Sequence, residues 1–214
     1  MTIDLRSLRK EYTQSGLTKS SLDSNPIKQF ETWFGQVRDA GIVEPNAMSL
    51  TTVGAKGEPS VRTVLLKGYD DEGFVFYTNY QSAKARDIEE NNRVALLFPW
   101  LALERQVIIR GIAEKVSTER SLEYFSTRPR GSQLGAWVSE QSKILTTRAI
   151  LENKLAELEK QFAEDDIPLP NHWGGFRVQP HYIEFWQGRP KRLHDRLRYE
   201  KAANGHWEIS RKSP

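Results

Sequence analysis

The chain has 214 residues, a formal net charge of +3 and no cysteine, which suits one domain and excludes disulfides and thiol chemistry. So small a charge excess, at a sequence pI near 9.0, argues against nucleic acid as the partner. No signal-peptide pattern opens the chain, and the longest apolar run, Val94 to Leu103, is broken by Pro99 and too short to span a bilayer, so a soluble cytoplasmic protein is expected.

Residues 1 to 24 are polar, with Arg6, Arg9, Lys10 and Tyr12 among serines and threonines, a composition that predicts a mobile arm. Asn25-Pro26 predicts a helix start, Asn as N-cap and Pro in the first helical position. Ile27, Phe30, Phe34 and Val37 recur at helical spacing, and Gly41 closes the helix. Ala47 to Val53 reads as a strand and Gly54-Ala55-Lys56-Gly57 as its turn. Next, Arg62-Thr63-Val64-Leu65-Leu66-Lys67 and Phe74-Val75-Phe76-Tyr77-Thr78 flank an Asp70-Asp71-Glu72-Gly73 turn, which predicts a β-hairpin.

This stretch gathers Arg62 and Lys67 at the two ends of one strand and Lys84 just after the next, with the hydroxyls of Tyr77, Thr78 and Ser82. Cations and hydroxyls suit an ionised phosphate, which offers acceptors and no donors. A regular strand would point Arg62 and Lys67 to opposite faces. Both reach one ligand only if the strand bulges or the ligand wraps its end.

Ser82 to Asn92 predicts a short helix with Ser82 as N-cap, its free N–H groups open to an anion. Arg93 to Trp100 and Arg105 to Val116 read as strands, and a sheet of this kind must close or be covered. Thr118 to Thr127 predicts a helix stopped by Pro129. Tyr124, Arg128 and Ser132 are spaced by four, but Pro129 pushes Arg128 out of the α region, so a helix end feeding a Gly-Ser turn is expected. Thr146 to Ala163 predicts a helix whose stripe of Leu151, Leu155, Leu158 and Phe162 is packing. Phe176 to Val178 and Tyr182 to Trp186 read as two strands, and Trp207 to Ile209 as an edge. The order predicts an α+β domain with a barrel-like antiparallel sheet.

Motifs for other chemistries are missing. The histidines, His172, His181, His194 and His206, show no metal-ligand spacing, and there is no nucleophile elbow, phosphate-cradling Gly-rich loop or dinucleotide fingerprint. Phosphate-binding side chains beside many aromatics fit an enzyme whose hard chemistry belongs to a cofactor.

Arg-x-Val-Leu-Leu-Lys at 62–67, Phe-Tyr-Thr at 76–78, Leu-Leu-Phe-Pro-Trp at 96–100 and Glu-Arg-Gln-Val at 104–107 carry a resemblance. So do Arg-Pro-Arg-x-Ser-Gln-x-Gly-Ala-Trp at 128–137, Trp-Gly-Gly-Phe-Arg-Val at 173–178, Glu-Phe-Trp-Gln-Gly at 184–188 and Arg-Leu-His-Asp-Arg at 192–196. From about Arg9 to the C-terminus the chain resembles the pyridoxamine/pyridoxine 5′-phosphate oxidases. The resemblance implies an FMN-binding split β-barrel over 25–214, a homodimer with FMN at its interface, and oxidation of either phosphorylated substrate to pyridoxal 5′-phosphate with O₂ reduced to H₂O₂. It implies FMN ligands at Arg62, Thr63, Val64, Leu65, Leu66, Lys67, Tyr77, Thr78, Lys84, Gln106, Gln141, Ser142, Trp186 and Arg196. The substrate phosphate would meet Lys67, Tyr124, Arg128 and Ser132. Arg192 and His194 would lie over the pyridine ring as the catalytic pair, and the Arg9–Tyr12 arm would act as a lid. One departure stands out: many members have Ser-Arg-Lys where this chain has Ser82-Ala83-Lys84. That removes a cation expected near the FMN phosphate unless Arg86 compensates.

Overall fold

The computed structural model describes residues 11–13, 16–163 and 165–214. Helix α1 (Pro26–Asp39) begins as the sequence predicts: the Asn25 side chain accepts the Ile27 N–H at 2.8 Å and Pro26 needs no partner in the first turn. Ile27, Phe30, Trp33 and Val37 form its buried apolar face. Phe34, expected on that face, is half-buried and stacks on Phe30 at 5.8 Å. Gly41 follows at φ +69°, the left-handed conformation glycine enters without strain. Strand β1 (Ala47–Val53) alternates half-buried and buried positions, as a sheet with one covered face requires.

The hairpin differs from the expected one. Strand β2 (Pro59–Leu65) ends before Leu66 and Lys67 and pairs with β1. The partner of β4 (Gly73–Asn79) is instead the short β3 (Gly68–Asp70), with Asp70 opposite Gly73 and Gly68 opposite Val75. Asp70 decides this: its Oδ1 accepts the N–H groups of Glu72 at 3.0 Å and Gly73 at 3.1 Å. That Asx turn leaves a two-residue loop, and a loop so short fixes the register at once. The chain then leaves the ladder at Lys67, whose N–H donates to Val75 O at 2.8 Å.

Helix α2 (Ala83–Glu90) and strands β5 (Arg93–Trp100) and β6 (Arg105–Lys115) fall where the residue patterns place them. Helix α3 (Thr118–Ser126) stops before Pro129 as expected. Gly131 and Ser132, however, are not a turn: they lie in the first turn of α4 (Arg130–Val138), for which Pro129 is the N-cap. A proline there ends one helix and leaves the next undisturbed. Helix α5 (Ala149–Gln161) starts later than Thr146. Its Leu155 and Leu158 pack with Phe162 on Phe125, Leu134 and Trp173.

The two strands expected near the C-terminus are one, β7 (Trp173–Gln187), running through Pro180. It pairs with β4 along 173–178 and with β8 (Asp195–Lys201) along 182–187. Pro180 falls in the gap between these registers, where a missing N–H costs that edge no ladder bond. Strand β9 (Trp207–Lys212) pairs with β8.

The strands pair in the order β2-β1-β5-β6-β7-β4-β3, with β8 on β7 and β9 on β8, giving the expected α+β class with an antiparallel split-barrel sheet. Packing divides the described residues into two compact units: those up to Ser49 with Leu96–Arg110 and Pro180–Pro214, and those of Leu50–Ala95 with Gly111–Gln179. In the first, Phe30 packs against Phe98 at 5.0 Å and Trp33 against Phe185 at 5.1 Å, and Phe30, Phe98 and Phe185 are fully buried. In the second, Phe74, Phe76 and Phe125 are fully buried. Each such side chain contributes about 1.5–3 kcal/mol relative to exposure.

Candidate active site

A cleft of about 990 Å³ opens in the second unit, between the end of β2, β4, the start of α2, and α3–α4 with the segment after it. It settles how Arg62 and Lys67 share a wall. Because β2 ends at Leu65, Leu66 turns into the core at 4% exposure and Lys67 emerges on the cleft side with Arg62. Thr63, Val64, Leu65, Tyr77, Thr78, Lys84, Tyr124, Arg128, Ser132, Gln141 and Ser142 also line it; of the residues expected in this unit, Leu66 does not.

One cluster forms around the N-terminus of α2. Ser82 caps the helix, its Oγ accepting the Ala85 N–H at 3.4 Å, so Lys84 in the first turn folds back. The Lys84 ammonium donates to Gln141 Oε1 at 2.9 Å, Thr78 Oγ1 at 3.2 Å and Ser82 Oγ at 3.3 Å. No carboxylate pairs with it among these contacts. Burial, and then the charge of Arg62, push the Lys84 pKa down from 10.5 to about 8. The Ala83 N–H donates to Ser142 Oγ at 3.1 Å, and Ser142 holds φ +73°. Arg86 points elsewhere: it donates to Gln81 O and does not line the cleft. Ala83 does line it, so the departure in Ser82-Ala83-Lys84 falls on the cleft wall.

A second cluster is aromatic and cationic. Tyr77 stacks on Tyr124 at 4.1 Å and on Trp173 at 5.5 Å. The Arg128 guanidinium lies over Trp173 at 4.6 Å, and Lys67 Nζ is 5.9 Å from the Tyr124 ring. Burial pushes the Arg128 pKa down, Tyr124 opposing, and Arg128 Nη1 is buried without a hydrogen-bond partner. A buried unsatisfied donor costs about 1–3 kcal/mol, a penalty that an anion in the cleft would remove. Ser132 is exposed nearby on α4. The adjoining glycines explain the Trp-Gly-Gly motif: a Cβ on Gly174 would lie 2.3 Å from Tyr80 Oη, and one on Gly175 2.8 Å from Tyr77 Cε1. The expected ligand set lacked Asn79, Ala83, Thr127, Pro129, Gly135, Ala136, Ser139 and Trp173, which also line the cleft; Ala83 had a signal as the departure in Ser82-Ala83-Lys84, and Pro129, Gly135, Ala136 and Trp173 in their places within quoted motifs.

The remaining described candidates lie in the first unit. Tyr12, Trp186 and His194 meet there, with ring centroids 5.8 Å (Tyr12–Trp186), 5.5 Å (Tyr12–His194) and 4.7 Å (Trp186–His194) apart. The Arg189 N–H donates to His194 Nδ1 at 3.1 Å, so in the neutral ring the proton is on Nε2. Lys191 and Arg192, both exposed, take φ +55° and +61° in succession, a conformation that costs non-glycine residues about 1–3 kcal/mol each. Arg196 is held by the buried Glu184, Nε to Oε1 at 2.8 Å and Nη2 to Oε2 at 3.1 Å. Burial of Glu184 opposes its charge, but Tyr182, Arg196 and Lys212 outweigh it and hold its pKa below the usual carboxylate value. Gln106 is half-buried on β6. Arg9 lies outside the described residues. Among the described residues no group of histidine, cysteine, aspartate and glutamate could hold a metal, and no helix is long and apolar enough to cross a membrane.

Fold and site together define a class: a split-barrel α+β protein with two anion-seeking clusters in one cleft. Residues 35–162 match the family model described as pyridoxamine 5′-phosphate oxidase, and residues 173–214 match the pyridoxine 5′-phosphate oxidase C-terminal dimerisation region. A pyridoxine/pyridoxamine 5′-phosphate oxidase of Rippkaea orientalis is 59% identical over 212 residues, covering 99% of this chain and 100% of that protein. Its counterpart from Aliarcobacter butzleri is 54% identical over 212 residues, with the same coverage of 99% and 100%. The structure of PhzG from Burkholderia lata 383, in complex with tetrahydrophenazine-1-carboxylic acid, has a TM-score of 0.87 at 30% identity over 91% of this chain and 95% of that one. A pyridoxamine 5′-phosphate oxidase-related, FMN-binding protein from Nostoc punctiforme shares the fold, with a TM-score of 0.70 at 16% identity over 86% and 97%. The chain belongs to the pyridoxamine 5′-phosphate oxidase family.

Proposed function

We propose that this protein oxidises pyridoxamine 5′-phosphate and pyridoxine 5′-phosphate to pyridoxal 5′-phosphate, with FMN as cofactor and O₂ as electron acceptor. One observation carries the reading: a single cleft holds two separate sets of groups suited to phosphate, a desolvated Lys84 beside Arg62 and a half-buried Arg128 whose Nη1 is buried and unused. Two phosphates need places, one on the cofactor and one on the substrate. Each charge-assisted hydrogen bond is worth about 1.5–3 kcal/mol.

Arg62, Lys84, Thr78, Gln141 and Ser142 would hold the cofactor phosphate, with Thr63 to Lys67, Tyr77, Gln106, Trp186 and Arg196 completing the cofactor site. FMN, when bound, supplies a hydride acceptor for the substrate C4′ and a route for the electron pair to O₂, which leaves as H₂O₂. The imine formed from the amine substrate takes up water and releases ammonia; the alcohol substrate yields the aldehyde directly. The chain's task is therefore placement to near-attack distance. Arg128, Ser132, Tyr124 and Lys67 anchor the substrate phosphate. His194, fixed through Nδ1, offers Nε2–H to orient the substrate, and Arg192 orients C4′ and steadies the charge that develops there. Tyr12, with Arg9, closes over the site as a lid, and residues 25–214 act as one FMN-binding domain of a homodimer with the cofactor at its interface.

Mixing the FMN-loaded protein aerobically with pyridoxamine 5′-phosphate tests this. Aldehyde and peroxide should appear in equal amounts. FMN binding without either product would move the protein to another flavin chemistry on the same barrel, and the phosphate cluster at Arg128 argues against that outcome.

A further inference from the structure

We infer that Asp87 and Thr52 are positioning residues that fix the Arg62 guanidinium in the cleft wall for anion binding. The inference rests on the reading of this cleft as the FMN site. Neither residue lines the cleft. They come from different elements, Thr52 from β1 and Asp87 from α2, and meet Arg62 of β2 behind the wall. Thr52 Oγ1 donates to Asp87 Oδ2 at 2.6 Å and accepts from Arg62 Nη1 at 2.7 Å. Nη1 also donates to Leu50 O at 3.3 Å, and Nη2 lies 3.8 Å from Asp87 Oδ2.

The direction of these bonds carries the inference. A threonine hydroxyl has one proton. Asp87 takes it, which leaves the lone pairs of the fully buried Thr52 for the arginine. Without the carboxylate that hydroxyl is free to rotate, and Arg62 loses the acceptor that aims it. A carboxylate beside an anion site repels the anion through space, so its presence is explained by orientation rather than by charge. Asp87 also opposes the drop in Arg62 pKa that burial causes. A second bond locks the arrangement: Glu90 Oε2 accepts the Ala55 N–H at 2.8 Å, pinning α2 to the turn after β1.

Flavin fluorescence quenching on titrating apoprotein with FMN reads the effect directly. Asp87→Ala should weaken FMN binding about tenfold or more, the loss of an oriented bond to a charged group. Asp87→Asn keeps an acceptor oxygen for the Thr52 hydroxyl and should stay within about threefold of wild type. In an Arg62→Ala background, Asp87→Ala should have little further effect. If Asp87→Ala does not fold, Thr52→Val removes the same bridge at nearly equal volume and should weaken FMN without lowering the apoprotein Tm in proportion. Tighter FMN binding by both Asp87 variants, or an undiminished effect without Arg62, would overturn the inference. Wild-type apoprotein that leaves flavin fluorescence unquenched would instead overturn the cofactor reading, and this inference with it.

Discussion

Lys84 is at odds with its surroundings, and that conflict is measurable. An ammonium with three hydroxyl or amide acceptors and no carboxylate among them titrates at about 8, below the ordinary 10.5. Between those values the unfolded chain holds the proton more firmly than the folded one, so apoprotein stability should rise with pH across that window. A phosphate dianion would restore the Lys84 pKa, so FMN binding should take up a proton above pH about 8 and weaken as pH rises further. Lys84→Gln should flatten that pH dependence, weaken FMN and stabilise the apoprotein; an unchanged pH profile would exclude Lys84 as the titrating group. Arg128 makes the matching prediction on the substrate side. Arg128→Ala should raise KM for the phosphorylated substrate by roughly tenfold to a hundredfold, while activity on unphosphorylated pyridoxamine stays as it was. Equal losses on both substrates would assign Arg128 to packing on Trp173. Arg192→Ala should cut kcat about a hundredfold with little change in FMN affinity, and unchanged turnover would remove Arg192 from the reaction.

Among the elements, α2 and β7 show how a segment's ends decide its use. The Ser82 cap turns the first residues of α2 toward the cleft, which makes position 83 a wall position and position 86 an outward one. Arg86 is therefore no substitute for the missing cation, and Ala83→Arg should tighten FMN several-fold; affinity equal to wild type would refute this. In β7 the glycine pair lets two tyrosine rings lie flat on the strand. Gly174→Ala should force Tyr80 from its bond to Gly175 O, now 3.0 Å. The expected loss is roughly 1–3 kcal/mol by thermal unfolding. Combining it with Tyr80→Ala should cost less than the sum, and full additivity would show that the two do not clash. The caps of α1 at Asn25 and α2 at Ser82 were legible in the chain because they depend on neighbours two or three residues away; the starts of α4 and α5, which carry no side-chain cap, were not. Strand partners were less so: the Asp70 turn outweighed the longer apolar run of Arg62 to Lys67, and the proline-interrupted β7 hid its continuity.

For the whole molecule, the match of residues 173–214 to a dimerisation region and the proposed interface site lead to one expectation. Sedimentation should give twice the chain mass of 24.7 kDa, and a monomer that still turns over would sink the interface placement. The sequence by itself determined the helix starts at Asn25-Pro26 and Ser82, the strand β1, the α+β class and the family, because capping, periodicity and ordered motifs are local or linear properties. Only the tertiary structure decided that β3 rather than β2 pairs with β4 and that Gly131-Ser132 opens a helix. It alone shows Trp173 as the plate under Arg128, and a lysine buried deeply enough for its pKa to fall. These follow from burial and from contacts between residues far apart in the chain, and no local pattern encodes how deeply a charge is taken from water.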